Sequence, residues 1–173
     1  MSAVTRPPNR LLQALPSAEY AQLHPLLETV ELTKETALAD AGAPVQRVYF
    51  PHAGVVSMMV NLSDGQSVEI ATIGRDGIVG ASAALHERPP LADAIVVVPG
   101  TASVMRAEDF REAANRSAEF RTLVALYEQA LMAQTQQSVA CNVSHPVEAR
   151  LSRWLLRARD LCGSEALPLT QEM

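Results

Sequence analysis

Apolar residues change their period twice along this chain. Over residues 9–28, Leu11, Leu12 and Leu15, then Leu23, Leu26 and Leu27, fall at helical intervals broken by Pro16 and Pro25. That pattern predicts a short, interrupted helical opening. From about 29 to 106 the alternation is that of strands. The clearest pieces are Arg47-Val48-Tyr49-Phe50, Gly54 to Val60, Ser67 to Ile73, Ala94 to Val98 and Ala102 to Met105. Turn residues separate them at Ala41-Gly42-Ala43-Pro44, Ser63-Asp64-Gly65 and Pro99-Gly100. Asp-Gly between two alternating runs is a strong hairpin signal. Many short strands punctuated by turns predict an antiparallel barrel or jelly roll.

From Arg106 onward the period becomes helical. Ala107-Glu108-Asp109-Phe110 opens one helix, and a longer one is expected from about Ser117 to Asn142. Phe120, Leu123, Tyr127, Ala130, Gln134, Gln137 and Cys141 recur at alternating steps of three and four, and Val124 and Leu131 widen the stripe. An a/d seam of this kind fits a helix paired with a second copy, so these residues are expected to form a dimer interface. A helix packed on its own domain would show a similar stripe. His145-Pro146 interrupts the helix. A further helical run, Val147 to Leu161, is expected to carry Leu151, Trp154, Leu155 and Ala158 on one face and to stop at Cys162-Gly163.

The stretch Ile73-Gly74-Arg75-Asp76-Gly77-Ile78-Val79-Gly80 lies between the strand-rich half and the long helix. Three glycines at intervals of three mark a sharp turn after a strand, where backbone N–H groups are free to form an anion-binding nest. An ordinary tight turn gives the same pattern.

Composition narrows the function classes. Nearly half of the 173 residues are apolar, and no apolar run approaches the roughly 20 needed to cross a bilayer. The first residues carry no apolar signal core, so a cytoplasmic location is expected. A net charge of −5 gives no support for a nucleic-acid surface. Cys141 and Cys162 make neither a zinc pattern nor a disulfide framework, and His24, His52, His86 and His145 stand apart in sequence. No metal site and no catalytic residue is expected; a cupin-type metalloenzyme, in which a jelly roll gathers distant histidines, is the less favoured alternative.

The order of helical opening, jelly roll with an Ile73-Gly74-x-x-Gly77 turn, long helix, bend and short basic helix resembles the Crp–Fnr family of transcription regulators. The block Arg150-Leu151-x-x-Trp154-Leu155-Leu156 and the closing Leu169-Thr170-Gln171-Glu172 carry the same resemblance, the latter to the start of that family's winged helix-turn-helix. The resemblance implies an α+β chain with an N-terminal helical segment (1–28), a β-jelly-roll effector domain of cyclic-nucleotide-binding type (29–106), a helical dimerisation segment (107–145), and a hinge with the truncated start of a helix-turn-helix domain (146–173). It also implies a non-enzymatic, allosteric homodimer with a small-molecule or anionic effector. Its further partners would be DNA, through a C-terminal domain absent from this chain, and RNA polymerase in the intact regulator. Effector-pocket candidates are Gly74, Arg75, Asp76, Gly77, Arg88, Thr135 and Gln136. In cyclic-nucleotide-binding members a Glu follows the glycine turn and an Arg-Ser-Ala run binds the cyclic phosphate. Here Arg75 follows Gly74 and the matching stretch is Glu87-Arg88-Pro89-Pro90-Leu91-Ala92-Asp93, so cyclic AMP is not the expected ligand. An effector-independent dimerisation or protein-interaction module is the alternative reading.

Overall fold

A computed structural model describes residues 6–162. The chain opens with α1 (Arg10–Ala14), α2 (Ser17–Leu23) and a 3-10 turn, His24–Leu26, with breaks at Pro16 and Pro25 as the sequence predicts. Five strands follow: β1 (Glu28–Leu32), β2 (Ala37–Ala39), β3 (Arg47–Asn61), β4 (Ser67–Ile73) and β5 (Asp93–Arg106). A short helix, α3 (Ala81–His86), lies between β4 and β5, and α4 (Ala107–Arg116), α5 (Ala118–Ser144) and α6 (Val147–Cys162) complete the described chain.

The strands form one antiparallel sheet in the spatial order β1-β5-β3-β4, with β2 also paired to β5. This is the expected jelly-roll fold, with two of its strands longer than the pattern predicts and β1 and β2 not among the clearest runs. The runs around Arg47–Phe50 and Gly54–Val60 merge into β3, and those around Ala94–Val98 and Ala102–Met105 merge into β5. The two long strands pair from Arg47↔Arg106 to Met59↔Asp93, and their register shifts three times between Pro51 and Val56. Bulges bend a strand without ending it, which lets each long strand serve both ends of the roll. Pro99-Gly100 is therefore not a turn: it sits in β5 opposite the irregular stretch, where a proline without an N–H is tolerated. The Asp64-Gly65 hairpin forms as read: Gln66 N donates to Asp64 Oδ1 at 3.0 Å, and Leu62 N donates to Gln66 O at 2.7 Å. Helix α3 falls inside the zone expected to be strand. Its six residues are too few for a 3.6-residue period to show.

Two apolar cores share the roll. One fills its interior with Leu32, Val56, Ile73, Val79 and Val96. The other joins the roll to the helices through Leu12, Tyr20, Val48 and a run of aromatic rings. In that run Phe110 lies 6.2 Å from Phe50 and 5.3 Å from Phe120, centroid to centroid. A smaller cluster of Val55, Val98, Ala158 and Leu161 fastens α6 to the roll, with Trp154 packed against it.

Helix α5 starts where Ser117 Oγ accepts a hydrogen bond from Phe120 N at 3.0 Å. Most of its expected dimer stripe turns inward instead, while Ala130 and Gln137 stay exposed. Phe120, Val124 and Tyr127 are buried in the chain's own core, Leu123 and Leu131 pack against that core, and Cys141 is buried near the far end. Over a few turns the 3.6 period of a helix on its own domain and the 3.5 period of a coiled coil select nearly the same positions, so the sequence does not separate them. Beyond His145 and Pro146, α6 buries Ala158 and Leu161, while Leu151, expected on the same face, is exposed. The Gly163 stop and the Leu169-Thr170-Gln171-Glu172 segment lie outside the described residues.

Asn9 ties the helical opening to the roll. It is fully buried, its Oδ1 accepts from Leu11 N and Leu12 N at 3.1 Å, and its Nδ2 donates to Pro51 O and Gly77 O at 3.0 Å. Asn9→Ala removes a helix cap and leaves two buried carbonyls unmatched. Urea denaturation is expected to show a loss of about 2–4 kcal/mol; a loss under about 0.5 kcal/mol, the scale of an ordinary surface change, would remove Asn9 from this role.

Candidate functional site

The link from β4 to α3 is held from several sides. Arg10 N donates to Arg75 O at 2.7 Å, Asn9 Nδ2 reaches Gly77 O, and Tyr49 and Val79 exchange two backbone hydrogen bonds. From α5 the buried Tyr127 hydroxyl donates to Ile78 O at 2.8 Å, and burial pushes its pKa well above the ordinary phenol range. The glycines here are needed for closeness. A Cβ on Gly74 would stand 2.7 Å from Leu161 Cβ, and one on Gly77 would stand 2.9 Å from the Tyr127 ring. Neither has positive φ, and Gly77 N donates to Gly74 O at 2.9 Å, so of the two readings of this stretch the ordinary tight turn holds; the left-handed glycine is Gly80, which precedes α3.

Between β4, α5 and α6 lies a cavity of about 380 Å³. Thr72, Ile73, Asp76 and Gly77 line one side, Tyr127, Ala130, Leu131 and Gln134 the second, and Arg157 of α6 the third. Arg157 clasps Asp76 end-on, Nη1 donating to Oδ2 at 2.6 Å and Nη2 to Oδ1 at 3.2 Å. Gln134 Nε2 donates to Thr72 O at 3.1 Å and to Thr72 Oγ1 at 3.2 Å, which fixes α5 to the end of β4. A volume of this order, a partly apolar wall and a few convergent polar groups are the attributes of a small-molecule pocket.

Beside the cavity, Glu69 of β4 accepts hydrogen bonds from Ser57 Oγ and, at 3.2 Å, from Trp154 Nε1 of α6. Burial pushes the Glu69 carboxyl above its usual range; the Ser57 and Trp154 hydrogen bonds and the nearby Arg153 charge oppose the shift without cancelling it.

Of the pocket residues expected from sequence, Asp76 and Gly77 line the cavity. Gly74 abuts Leu161, and Arg75 is half-buried and does not line the cavity. Arg88 and Gln136 are exposed, and Thr135 turns its hydroxyl back to Leu131 O at 3.0 Å. Tyr127, Ala130, Leu131 and Gln134, expected at a dimer seam, line the cavity instead. Nothing in the sequence marks Arg157 or Thr72 as a pocket residue. An arginine on a basic helix reads as solvated, and the apolar face read on α6 does not say what it packs against.

Residues 29–117 match the cyclic nucleotide-binding domain family, and the chain belongs to that family. Among solved structures it is similar to the c-di-GMP-responsive global regulator CLP of Xanthomonas campestris, at 12% identity and a TM-score of 0.68, covering 88% of this chain and 77% of that one. A protein of Eubacterium rectale described as a transcriptional regulator of the Crp/Fnr family aligns over 94% of this chain and 76% of its own, at 13% identity and a TM-score of 0.72. The N-terminal domain of a transcriptional regulator from Streptomyces coelicolor aligns over 76% of this chain and 92% of its own, at 21% identity and a TM-score of 0.54. At these identities the likeness is one of fold. No curated protein matches the chain in sequence.

Because the folded pKa of Glu69 is raised, the native state holds this proton more tightly than the unfolded chain does. The stabilising contribution is complete below the unfolded value near 4.5 and is lost as pH rises through the folded value. Melting curves at acid and neutral pH are therefore expected to show wild type losing ground to Glu69→Gln as pH rises. Parallel pH profiles for the two proteins would contradict the assignment.

Proposed function

We propose that this chain is the ligand-sensing and dimerisation module of a Crp/Fnr-like transcription regulator that does not respond to cyclic AMP. The observation that supports this most is the order of parts. A cyclic-nucleotide-binding roll runs into the 27-residue helix α5, which ends at His145-Pro146 and passes into a second helix. The cavity between roll and helices is the effector site. DNA recognition belongs to a segment beyond α6, since sequence is read by an element that enters a groove.

The dimer uses the outward face of α5, not the stripe expected from sequence. Ala125, Gln129, Met132, Gln136, Val139 and Val143 follow at steps of four and three, all exposed and none charged. Val143 is 84% exposed, and Met132 and Val139 exceed half. An uncharged seam in heptad register, left open by the packing of the opposite face, supports a parallel pairing of α5 with its copy. Met132→Asp with Val139→Asp is expected to give monomers in sedimentation at tens of micromolar, where wild type is dimeric. Each wild-type side chain contributes roughly 1.5–3 kcal/mol of apolar burial. A monomeric wild type would sink the pairing.

Cyclic AMP is disfavoured by whichever glycine the family's ribose-binding Glu should follow. Arg75 follows Gly74, the buried Ile78 follows Gly77, and the buried Ala81 follows the left-handed Gly80. Exposed Arg88 precedes Pro89 where the family pairs an arginine with serine. A missing bidentate arginine contact is worth about one to two decades in affinity. Calorimetric titration is expected to show no cyclic AMP binding at micromolar concentration; micromolar binding would refute the effector part. The regulator reading is tested by gel retardation, in which the protein carrying this module is expected to select particular promoter fragments at near-physiological salt. Retardation without sequence preference would overturn it.

A further inference from the structure

The seam between α6 and the rest of the chain holds more hydrogen-bond donors than it satisfies. Arg150, Arg153 and Arg157 follow at steps of three and four and so share one face of α6. That face is the docked one: Arg157 holds Asp76, Arg153 Nη1 reaches Ser138 Oγ at 3.4 Å, and Trp154 meets Glu69. In all three arginines Nε is buried and has no partner among the described residues. Among the described residues, Asp76 and Glu69 are the carboxylates outside α6 that its side chains contact, and burial favours the neutral form of Glu69. Arg157 is the one cation lining the cavity and Asp76 the one anion, among the described residues. The other polar groups there are committed, Tyr127 to Ile78 O and Gln134 to Thr72. Apart from Glu128 Oε1 on α5, which does not line the cavity, what remains unmatched is guanidinium N–H.

We propose that this cavity binds a compact oxyanion, a carboxylate or phosphate on a small apolar body, through Arg157, and that the ligand thereby clamps α6 to the roll. The proposal rests on reading the roll as a sensor and names what that sensor takes. The guanidinium fork matches a planar or tetrahedral oxyanion in two parallel hydrogen bonds. The Asp76 carboxylate side chain, 24% exposed, turns toward solvent as the ligand takes its place. Ile73, Ala130 and Leu131 supply the apolar wall, and about 380 Å³ suits a body the size of one aromatic ring. The coupling is direct: the residue that grips the ligand belongs to the helix that leads out of the sensor. By reciprocity, ligand strengthens α6 docking, and undocking α6 removes the ligand's principal anchor.

Trp154 is the single tryptophan and lies on the docked face, so its emission and acrylamide quenching report α6. The probes are phenyl phosphate and benzoate, with neutral benzamide as control. At millimolar concentration at least one anion is expected to shield Trp154 and raise the melting temperature of wild type by several degrees, as saturating a native-state site does. Asp76→Asn, which removes the competing carboxylate, leaves Trp154 more quenchable when free and binds the anion about ten-fold more tightly. Arg157→Gln loses the response, and Arg157→Lys, which keeps the charge without the fork, weakens it about ten-fold. An equal effect of benzamide, an undiminished response in Arg157→Gln, or no response to either anion in both wild type and Asp76→Asn would overturn the site. Anion binding that leaves Trp154 quenching unchanged would overturn the clamp. None of these outcomes bears on promoter selection or dimerisation, so the regulator reading stands or falls on its own experiments.

Discussion

Close approach at the Gly74–Val79 link is the constraint on which the described parts depend. The backbone of these residues receives Asn9 and Arg10 from the N-terminal opening, β3 through Tyr49, and α5 through the Tyr127 hydroxyl, while Leu161 of α6 lies against Gly74. Only a residue without a Cβ lets Leu161 come so near, and only Gly77 leaves room for the Tyr127 ring. Each partner also satisfies a carbonyl that would otherwise be buried unmatched, which costs more than the net value of an ordinary hydrogen bond. The helices are thus registered against one short segment of the roll, and the cavity is what their shared placement leaves open.

Helix α5 shows how one element serves two sides. Its inner stripe of Phe120, Val124, Tyr127 and Gln134 first completes the core and then lines the cavity. Its outer stripe of alanine, glutamine, methionine and valine stays exposed and uncharged. Met132, Val139 and Val143 in that stripe are the apolar side chains a partner would cover. A ligand touching the inner stripe and a partner covering the outer one would therefore act on the same rigid rod, which is the physical basis for coupling a pocket to a dimer.

The half-buried ion pair Arg157–Asp76 bears differently on stability and on specificity. Both side chains retain some exposure, so the pair contributes modestly to holding α6, and the apolar contacts of Ala158 and Leu161 supply most of the docking. Its importance is positional, because it fixes the one cavity-lining cation at the boundary between roll and helix.

Local order was legible in the sequence. The change from alternating to helical period, the Asp64-Gly65 hairpin, the breaks at Pro16, Pro25 and Pro146 and the long helix after Ser117 all follow from propensity and turn chemistry acting over a few residues. What local pattern could not decide is which face meets which. The Phe120–Cys141 stripe satisfies both a 3.5 and a 3.6 repeat over its length, and only packing on the roll shows that it turns inward. Asp76 and Arg157 are 81 positions apart; the glycine turn marks Asp76 as a pocket candidate, but Arg157 alone reads as a solvated charge. Their meeting depends on the hinge at His145-Pro146 and on a glycine that admits Leu161. The sequence by itself therefore determined the elements and their order, because these are short-range properties of the chain. The tertiary structure decided the cavity, its charge and the free face of α5, because those arise only when distant surfaces compete for the same contacts.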